Sequence, residues 1–368
     1  MKKPILWITL IISTTFLFLH CQKAVIETPV YDTRLVLVNP GLGDVRSMVS
    51  MMEMGVIDIP NAELLAVYYE KAERTPQAVQ SYCEENQIHF VRTETIAGDL
   101  HEQNLFQKNG CSDAFRRLFE NSHGVFFFGG PDFPPVIYGK KTNLLTYITM
   151  PNRHYFELSF LFHLLGGYQD AGFRAYLEEN PGYVMVGFCL GMQTMNVATG
   201  GTMYQDIPTE IYGLQFVEDI LSQHQNDRHT NYWRRLAPNE NLMWANFHQI
   251  AFMPDGFFTK QMKFDPRDHP YVCSSHHQAL KDIGKGFEIA AMSMDGKIVE
   301  AISHSRFPNV FGVQFHPEAL GIYSDREGGF KLTPADTILV SEHTVLKEAN
   351  SLDFHLEFWK YVSSLFSK

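Results

Sequence analysis

The stretch Tyr183-Val-Met-Val-Gly-Phe-Cys189-Leu-Gly-Met-Gln193 sets a cysteine between two glycines at the end of an apolar run, with a helix-like segment over 192–198 behind it. This is the pattern of a nucleophile elbow. A buried strand stops, the chain turns sharply, and the reactive side chain stands at the start of a helix. Unpaired N–H groups and the positive end of the helix dipole favour a thiolate there. Such a cysteine needs a base and a group that orients the base. Gln314-Phe-His316-Pro-Glu318 offers both. His316 ends an apolar run, and residues two apart share one side of an extended chain, so Glu318 reaches the imidazole if the extended course continues past Pro317. The oxyanion formed on attack needs donors. The N–H of Leu190, next after the nucleophile, and that of Gly130, in the turn Gly129-Gly130-Pro131, are the natural pair.

The elements that must carry these residues follow from hydrophobic patterning. Short apolar runs at 34–39, 63–69, 88–91 and 124–128 predict four buried strands. Between them, 44–54 and 112–121 read as helices, the second with Ser112 as cap, and Thr75-Pro76 opens another with Thr as cap and Pro at its first position. Strands alternating with helices argue for an α/β fold with a doubly wound, mostly parallel sheet. In such sheets ligands bind beyond the carboxyl ends of the strands, where Gly129-Gly130 and Cys189 both fall. Three further strands are expected at 287–292, 298–302 and 310–315, the first two joined by a hairpin at Asp295-Gly296, and a helix over 352–366 with an apolar face of Leu356, Trp359, Tyr361 and Val362. Residues 215–271 and 321–350 lack clear periodicity and read as insertions within a single domain, 34–368.

Of 368 residues, 45% are hydrophobic and 19% charged, which is the composition of a globular chain. The net charge of −11 argues against nucleic acid as a partner. The chain has 16 histidines, but no His-x-x-x-His or Cys-x-x-Cys spacing, so no metal and no cofactor are expected. At the N-terminus, Lys2 and Lys3 precede an apolar run that ends at Cys21. This order resembles a bacterial lipoprotein signal, although His20 stands where a small residue is usual. It implies a signal peptide over 1–21, lipidation of Cys21 and export to the membrane surface of the cell envelope. An ordinary signal peptide or an uncleaved anchor are the alternatives. Residues 22–33 read as a tether. The other cysteines, Cys83, Cys111, Cys189 and Cys273, suggest no disulfide framework.

The elbow and the His-Pro-Glu stretch resemble the nucleophile and His/Glu motifs of the class I glutamine amidotransferase-like superfamily. Further stretches resemble its peptidase C26 branch of γ-glutamyl hydrolases, in particular the γ-glutamyl-GABA hydrolase-like group. They are Gly129-Gly-Pro-Asp-Phe-Pro-Pro135 with Tyr138-Gly139, Gly200-Gly-Thr-Met-Tyr-Gln-Asp-Ile-Pro208, Ser275-His-His-Gln278 and Asp295-Gly-Lys-Ile-Val-Glu-Ala301. The resemblance covers about 124–214 and 272–318. It implies a flavodoxin-like sheet, a triad of Cys189, His316 and Glu318, and hydrolysis of a γ-glutamyl amide through an acyl-enzyme. It also implies that Gln193 lies beside the bound glutamyl group and that His277 lines the same pocket. The expected partner is a small γ-glutamyl compound or peptide. Two other readings are a glutaminase feeding ammonia to a synthetase, which an export signal disfavours, and a binding lipoprotein that keeps the fold without catalysis.

Overall fold

The computed structural model describes residues 30–324 and 329–367. The signal, Cys21 and most of the tether lie outside them. From Tyr31 onward the chain forms one compact unit. Among the described residues no helix is long and apolar enough to cross a membrane.

Ten strands make one sheet: β1 (Thr33–Val38), β2 (Ala62–Tyr69), β3 (Val91–Ile96), β4 (Gly124–Phe127), β5 (Val184–Phe188), β7 (Asn246–Phe252), β8 (Tyr271–Ser274), β10 (Phe287–Ser293), β11 (Val299–His304) and β12 (Val310–Val313). Two more, β6 (Met203–Tyr204) and β9 (Ala279–Leu280), pair with each other. The order in the large sheet is β3-β2-β1-β4-β5-β12-β11-β10-β7-β8. From β3 to β12 all neighbours are parallel, and from β12 to β8 all are antiparallel. Chain order reverses direction across the sheet between β1 and β4, which is the switch point where such sheets open a crevice.

The period-2 alternation of the central strands separates two apolar layers. Val36, Val38, Phe127 and Met185 pack on one face with the helices α3 (Ser112–Glu120), α4 (Pro151–Leu165) and α5 (Leu190–Ala198). Leu35, Leu37, Phe126, Phe128, Val186 and Phe188 pack on the other with α1 (Leu42–Glu53) and the helix Leu352–Ser364. The remaining long helix, α2 (Gln77–Glu85), buries Val79 and Cys83.

Several elements differ from their reading in sequence, each for a physical reason. The third strand is 91–96, not 88–91. It lies at the sheet edge, so only its ends are buried and its middle is Arg-Thr-Glu-Thr. Neither Thr75 nor Ser112 caps a helix: Pro76 and Cys111 hold the N-cap positions, and the Ser112 hydroxyl instead accepts from Asn109 N–H at 2.8 Å. Helix α4 carries no apolar stripe because it is buried almost all round, and it even encloses Arg153, His154, Glu157 and His163. On the helix Leu352–Ser364 the buried face is Phe354, His355, Phe358, Trp359 and Val362, and Leu356 faces solvent.

The stretch 215–271 is more than a loop, because it supplies β7 and so extends the sheet. It also packs on 321–350. Met243 N–H donates to Lys331 C=O, and Met243, Phe247, Cys273, Ile322 and Leu346 share a small apolar cluster.

Candidate active site

Strands β4, β5 and β12 are adjacent and parallel, so their carboxyl ends lie side by side. Gly129-Gly130 follows the first, Cys189 the second and His316 the third. Cys189 has φ 49° and ψ −105°, a backbone conformation that costs a non-glycine residue about 1–3 kcal/mol. The flanking glycines make the turn possible. A Cβ on Gly187 would stand 2.7 Å from the Gly191 carbonyl carbon, and one on Gly191 would stand 2.3 Å from Phe127 O. The strand and helix therefore close to a distance only glycine tolerates, and the thiol, 5% exposed, is presented at the N-terminus of α5.

His316 Nδ1 and Glu318 Oε1 are 2.8 Å apart. Their closeness does not come from a continuing strand. The chain turns at Pro317-Glu318, closed by Ala319 N–H to His316 C=O at 3.3 Å. Trp359 Nε1 and the Tyr323 hydroxyl both donate to Pro317 C=O, at 2.9 and 2.6 Å, and fix that turn. Burial opposes a charge on His316, but Glu318 and Cys189 together hold its pKa well above the ordinary 6.5. An imidazolium there faces the thiol on one side and the carboxylate on the other.

The Leu190 N–H, first in its helix, has no carbonyl behind it to bond. The Gly130 N–H donates no backbone hydrogen bond among the described residues. The two residues adjoin: a Cβ on Gly130 would lie 2.6 Å from Leu190 Cδ2. Beneath the glycine turn lies Arg153, fully buried on α4. Its Nη2 donates to Phe128 C=O and Gly129 C=O at 3.1 and 3.0 Å, and its Nε to Glu157 Oε1 at 2.6 Å. Gln314 Nε2 lies 3.5 Å from Cys189 Sγ, and Trp244 from the 215–271 stretch stands edge-on to the His316 ring at 5.3 Å. Sequence reasoning assigned no role to Arg153 or Gln314. Gln314, two residues before His316, was within the stretch it singled out, whereas nothing local marks Arg153.

Gln193 is brought to this place, but its amide is engaged. Nε2 donates to Gln278 C=O at 3.3 Å and to Gln314 Oε1 at 3.2 Å, so it holds the residue beside the thiol. His277 sits between two carboxylates, with Nε2 2.8 Å from Asp132 Oδ1 and Nδ1 3.0 Å from Asp206 Oδ1. The Gly-Gly-Pro-Asp turn, the stretch ending at Pro208 and the Ser-His-His-Gln stretch thus meet at one point.

Burial disfavours a charged His277, but the hydrogen bonds it donates to both aspartates raise its pKa to about 9 from the usual 6.5. Below the unfolded pKa of about 6.5 the bridge contributes its full stabilisation, and the contribution is lost as pH rises through about 9. Over that window the protein is expected to lose about 3 kcal/mol of stability that the His277→Gln variant does not lose. Denaturant titrations of both proteins across the window check this, and parallel curves would contradict it.

Fold and site together define an α/β protein that presents a cysteine on a nucleophile elbow beside a His–Glu pair. The chain belongs to the peptidase C26 family, whose model matches residues 105–318. It is 30% identical over 194 residues to the glutamine amidotransferase-like protein YvdE of Lactococcus lactis, covering 53% of this chain and 65% of that one. It is 28% identical over 190 residues to protein NtpR of Enterococcus hirae, covering 52% and 64%. To the γ-glutamyl-γ-aminobutyrate hydrolase PuuD of Escherichia coli it is 27% identical over 130 residues, covering 35% and 44%. In each case the match spans less than two thirds of the relative's own length.

Proposed function

We propose that the protein is an exported cysteine hydrolase that cleaves γ-glutamyl amide bonds through a thioester acyl-enzyme. The observation that carries this reading is the elbow cysteine facing an imidazole that Glu318 orients at 2.8 Å. Cys189 thiolate attacks the γ-carbonyl carbon. The N–H groups of Leu190 and Gly130 receive the oxyanion. On collapse the C–N bond breaks and the departing amine takes the His316 proton. His316, again neutral, removes a proton from water, and the hydroxide formed attacks the thioester. Cys189 leaves as thiolate and glutamate is released. Glu318 keeps the tautomer and stabilises the imidazolium at each stage. Gln193 and His277 shape the glutamyl side of the pocket, Gln193 through Gln314 and Gln278, His277 through Asp132 and Asp206.

PuuD, by its name, acts on γ-glutamyl-γ-aminobutyrate. An exported enzyme meets other amines, and envelope peptides with γ-linked glutamate are the proposed substrate class. Turnover of a γ-glutamyl chromogenic amide by the purified protein, beside matched α-glutamyl and glutaminyl amides, tests the reaction. Selective, Cys189-dependent cleavage of the γ-linked compound is the expected result, and none on any γ-glutamyl compound would contradict it.

The proposed anchor is a lipid on Cys21. With the Cys21→Ala substitution the protein is expected to move from the membrane fraction to the soluble one and to lose incorporation of labelled palmitate. Unchanged fractionation and labelling would remove the anchor from the account.

A further inference from the structure

Away from the catalytic cysteine, four segments distant in sequence bring titratable side chains to one buried point. They are His229 from the 215–271 stretch, His248 on β7, His276 just after β8, and Glu300 on β11. Their exposures are 1%, 0%, 5% and 0%. One ligand-type atom from each lies within 4.8 Å of the other three. A tetrahedral zinc shell with bonds of about 2.0–2.1 Å places its ligand atoms about 3.4 Å apart. Two of the contacts, 3.1 Å from His229 Nδ1 to Glu300 Oε1 and 3.8 Å from His248 Nε2 to the same oxygen, bracket that spacing.

The hydrogen-bond arrangement is the second, independent observation. Both nitrogens of His229, Nε2 of His276 and both oxygens of Glu300 have no hydrogen-bond partner among the described residues. At 3.1 Å, His229 and Glu300 are near but not aligned as donor and acceptor. Buried polar atoms are rarely left in that condition. The outer nitrogens of the other two imidazoles, by contrast, are tied down. His276 Nδ1 lies 2.9 Å from Gln278 C=O and His248 Nδ1 lies 3.2 Å from Gln249 C=O. A carbonyl accepts only from N–H, so each proton is on Nδ1 and each Nε2 turns a lone pair inward. Metal-bound histidines are oriented by their second nitrogen in this way. The Ser274 hydroxyl, 2.9 Å from His248 Nε2, donates to that lone pair and can rotate away from it.

We propose that His229, His248, His276 and Glu300 form a closed structural site for a divalent transition metal of the zinc type. Three imidazoles and one carboxylate are borderline ligands, suited to zinc, cobalt or nickel and poorly suited to calcium or magnesium. Four protein ligands in full burial leave no position for water or substrate, which is the mark of a structural rather than a catalytic centre. Imidazole ligates as the neutral base and glutamate as the carboxylate, so filling the site releases whatever protons those groups hold. The site bolts the 215–271 stretch, through His229 and β7, to the segment after β8 and to β11. It also stands behind the active site: Glu300 C=O accepts from Gln314 N–H, and Gln278 C=O, which holds His276, also accepts from Gln193. No paired metal-ligand spacing marks it in the sequence because no two ligands come from one turn or helix.

The test uses the full chain purified from zinc-supplemented cells, and the same protein after chelator treatment and refilling with zinc or cobalt. The expected metal content is about one equivalent per chain by elemental mass spectrometry. Zinc is expected to raise the melting temperature of the stripped protein, and cobalt to give the visible absorption of a tetrahedral nitrogen–oxygen site without thiolate charge transfer. The Cys189→Ala variant keeps all three properties. The Glu300→Gln variant binds at least about tenfold more weakly, and His229→Ala, if it folds, binds none. The proposal is overturned if folded wild-type protein retains no metal, takes up neither zinc nor cobalt, and melts at the same temperature with and without them. Binding that disappears in Cys189→Ala but persists in Glu300→Gln overturns it equally.

Discussion

Cys189→Ala is expected to lower γ-glutamyl amide turnover by about 10⁴-fold or more, with stability changed by no more than about 1 kcal/mol. Both halves follow from the elbow. The thiol is the only atom proposed to bond the substrate, and His316 and the Leu190 and Gly130 N–H groups have nothing to activate without it. The backbone strain at φ 49° belongs to the fold, so alanine inherits it. Glycine does not, and Cys189→Gly is expected to exceed Cys189→Ala in stability by about 1 kcal/mol while being equally inactive. Activity assays beside chemical denaturation check both. Residual turnover above about 1% in Cys189→Ala would give the chemistry to another group.

Arg153→Ala is expected to cost about 3–5 kcal/mol, the largest stability effect anywhere near the site. Arg153 and Glu157 are both wholly buried and pair at 2.6 Å. Burial pushes the Glu157 carboxyl up and Arg153 opposes that push most, so removing the guanidinium leaves the buried acid with only the more distant charge of Arg74 and the Asn39 hydrogen bond. The substitution also removes two hydrogen bonds to the carbonyls of Phe128 and Gly129, the residues that aim the Gly130 N–H. A double replacement, Arg153→Met with Glu157→Leu, is expected to recover most of the stability, because an apolar pair needs no mutual compensation. It does not restore those two bonds, so turnover stays low. Denaturant titration and kcat across the cycle separate the two roles. A single-variant cost under about 1 kcal/mol would mean that water or a neighbour already compensates Glu157.

What the sequence shows plainly is whatever local pattern determines. The elbow is legible because Gly187 and Gly191 are forced by contacts within a dozen residues of chain and by Phe127, itself in a conspicuous apolar run. The central strands are legible because both faces are covered, which leaves continuous apolar runs. Glu318 is legible as the partner of His316 from their spacing, but a turn rather than a strand brings it there. What stayed hidden was decided at long range. The edge strand β3 is polar because one side meets water. Helix α4 has no stripe because every side is buried. Strand β7 reads as part of an irregular stretch because adjacent His248 and Gln249 break the alternation of its apolar residues, and His248 is buried with them. Arg153 and the histidine–glutamate cluster draw their meaning only from partners on other elements.

The central claim is that Cys189 carries the glutamyl group in mid-reaction. The three other cysteines among the described residues are buried, and burial raises each thiol, Cys111 to about 12, so they do not compete as thiolates. Acid quenching during turnover of a γ-glutamyl amide, followed by proteolysis and mass spectrometry, reads this directly. The account predicts one glutamyl group in thioester linkage on the peptide that contains Cys189, chased away on longer incubation with water alone. Continued turnover of the same amide with that peptide unmodified, or with the adduct on another residue, would contradict it.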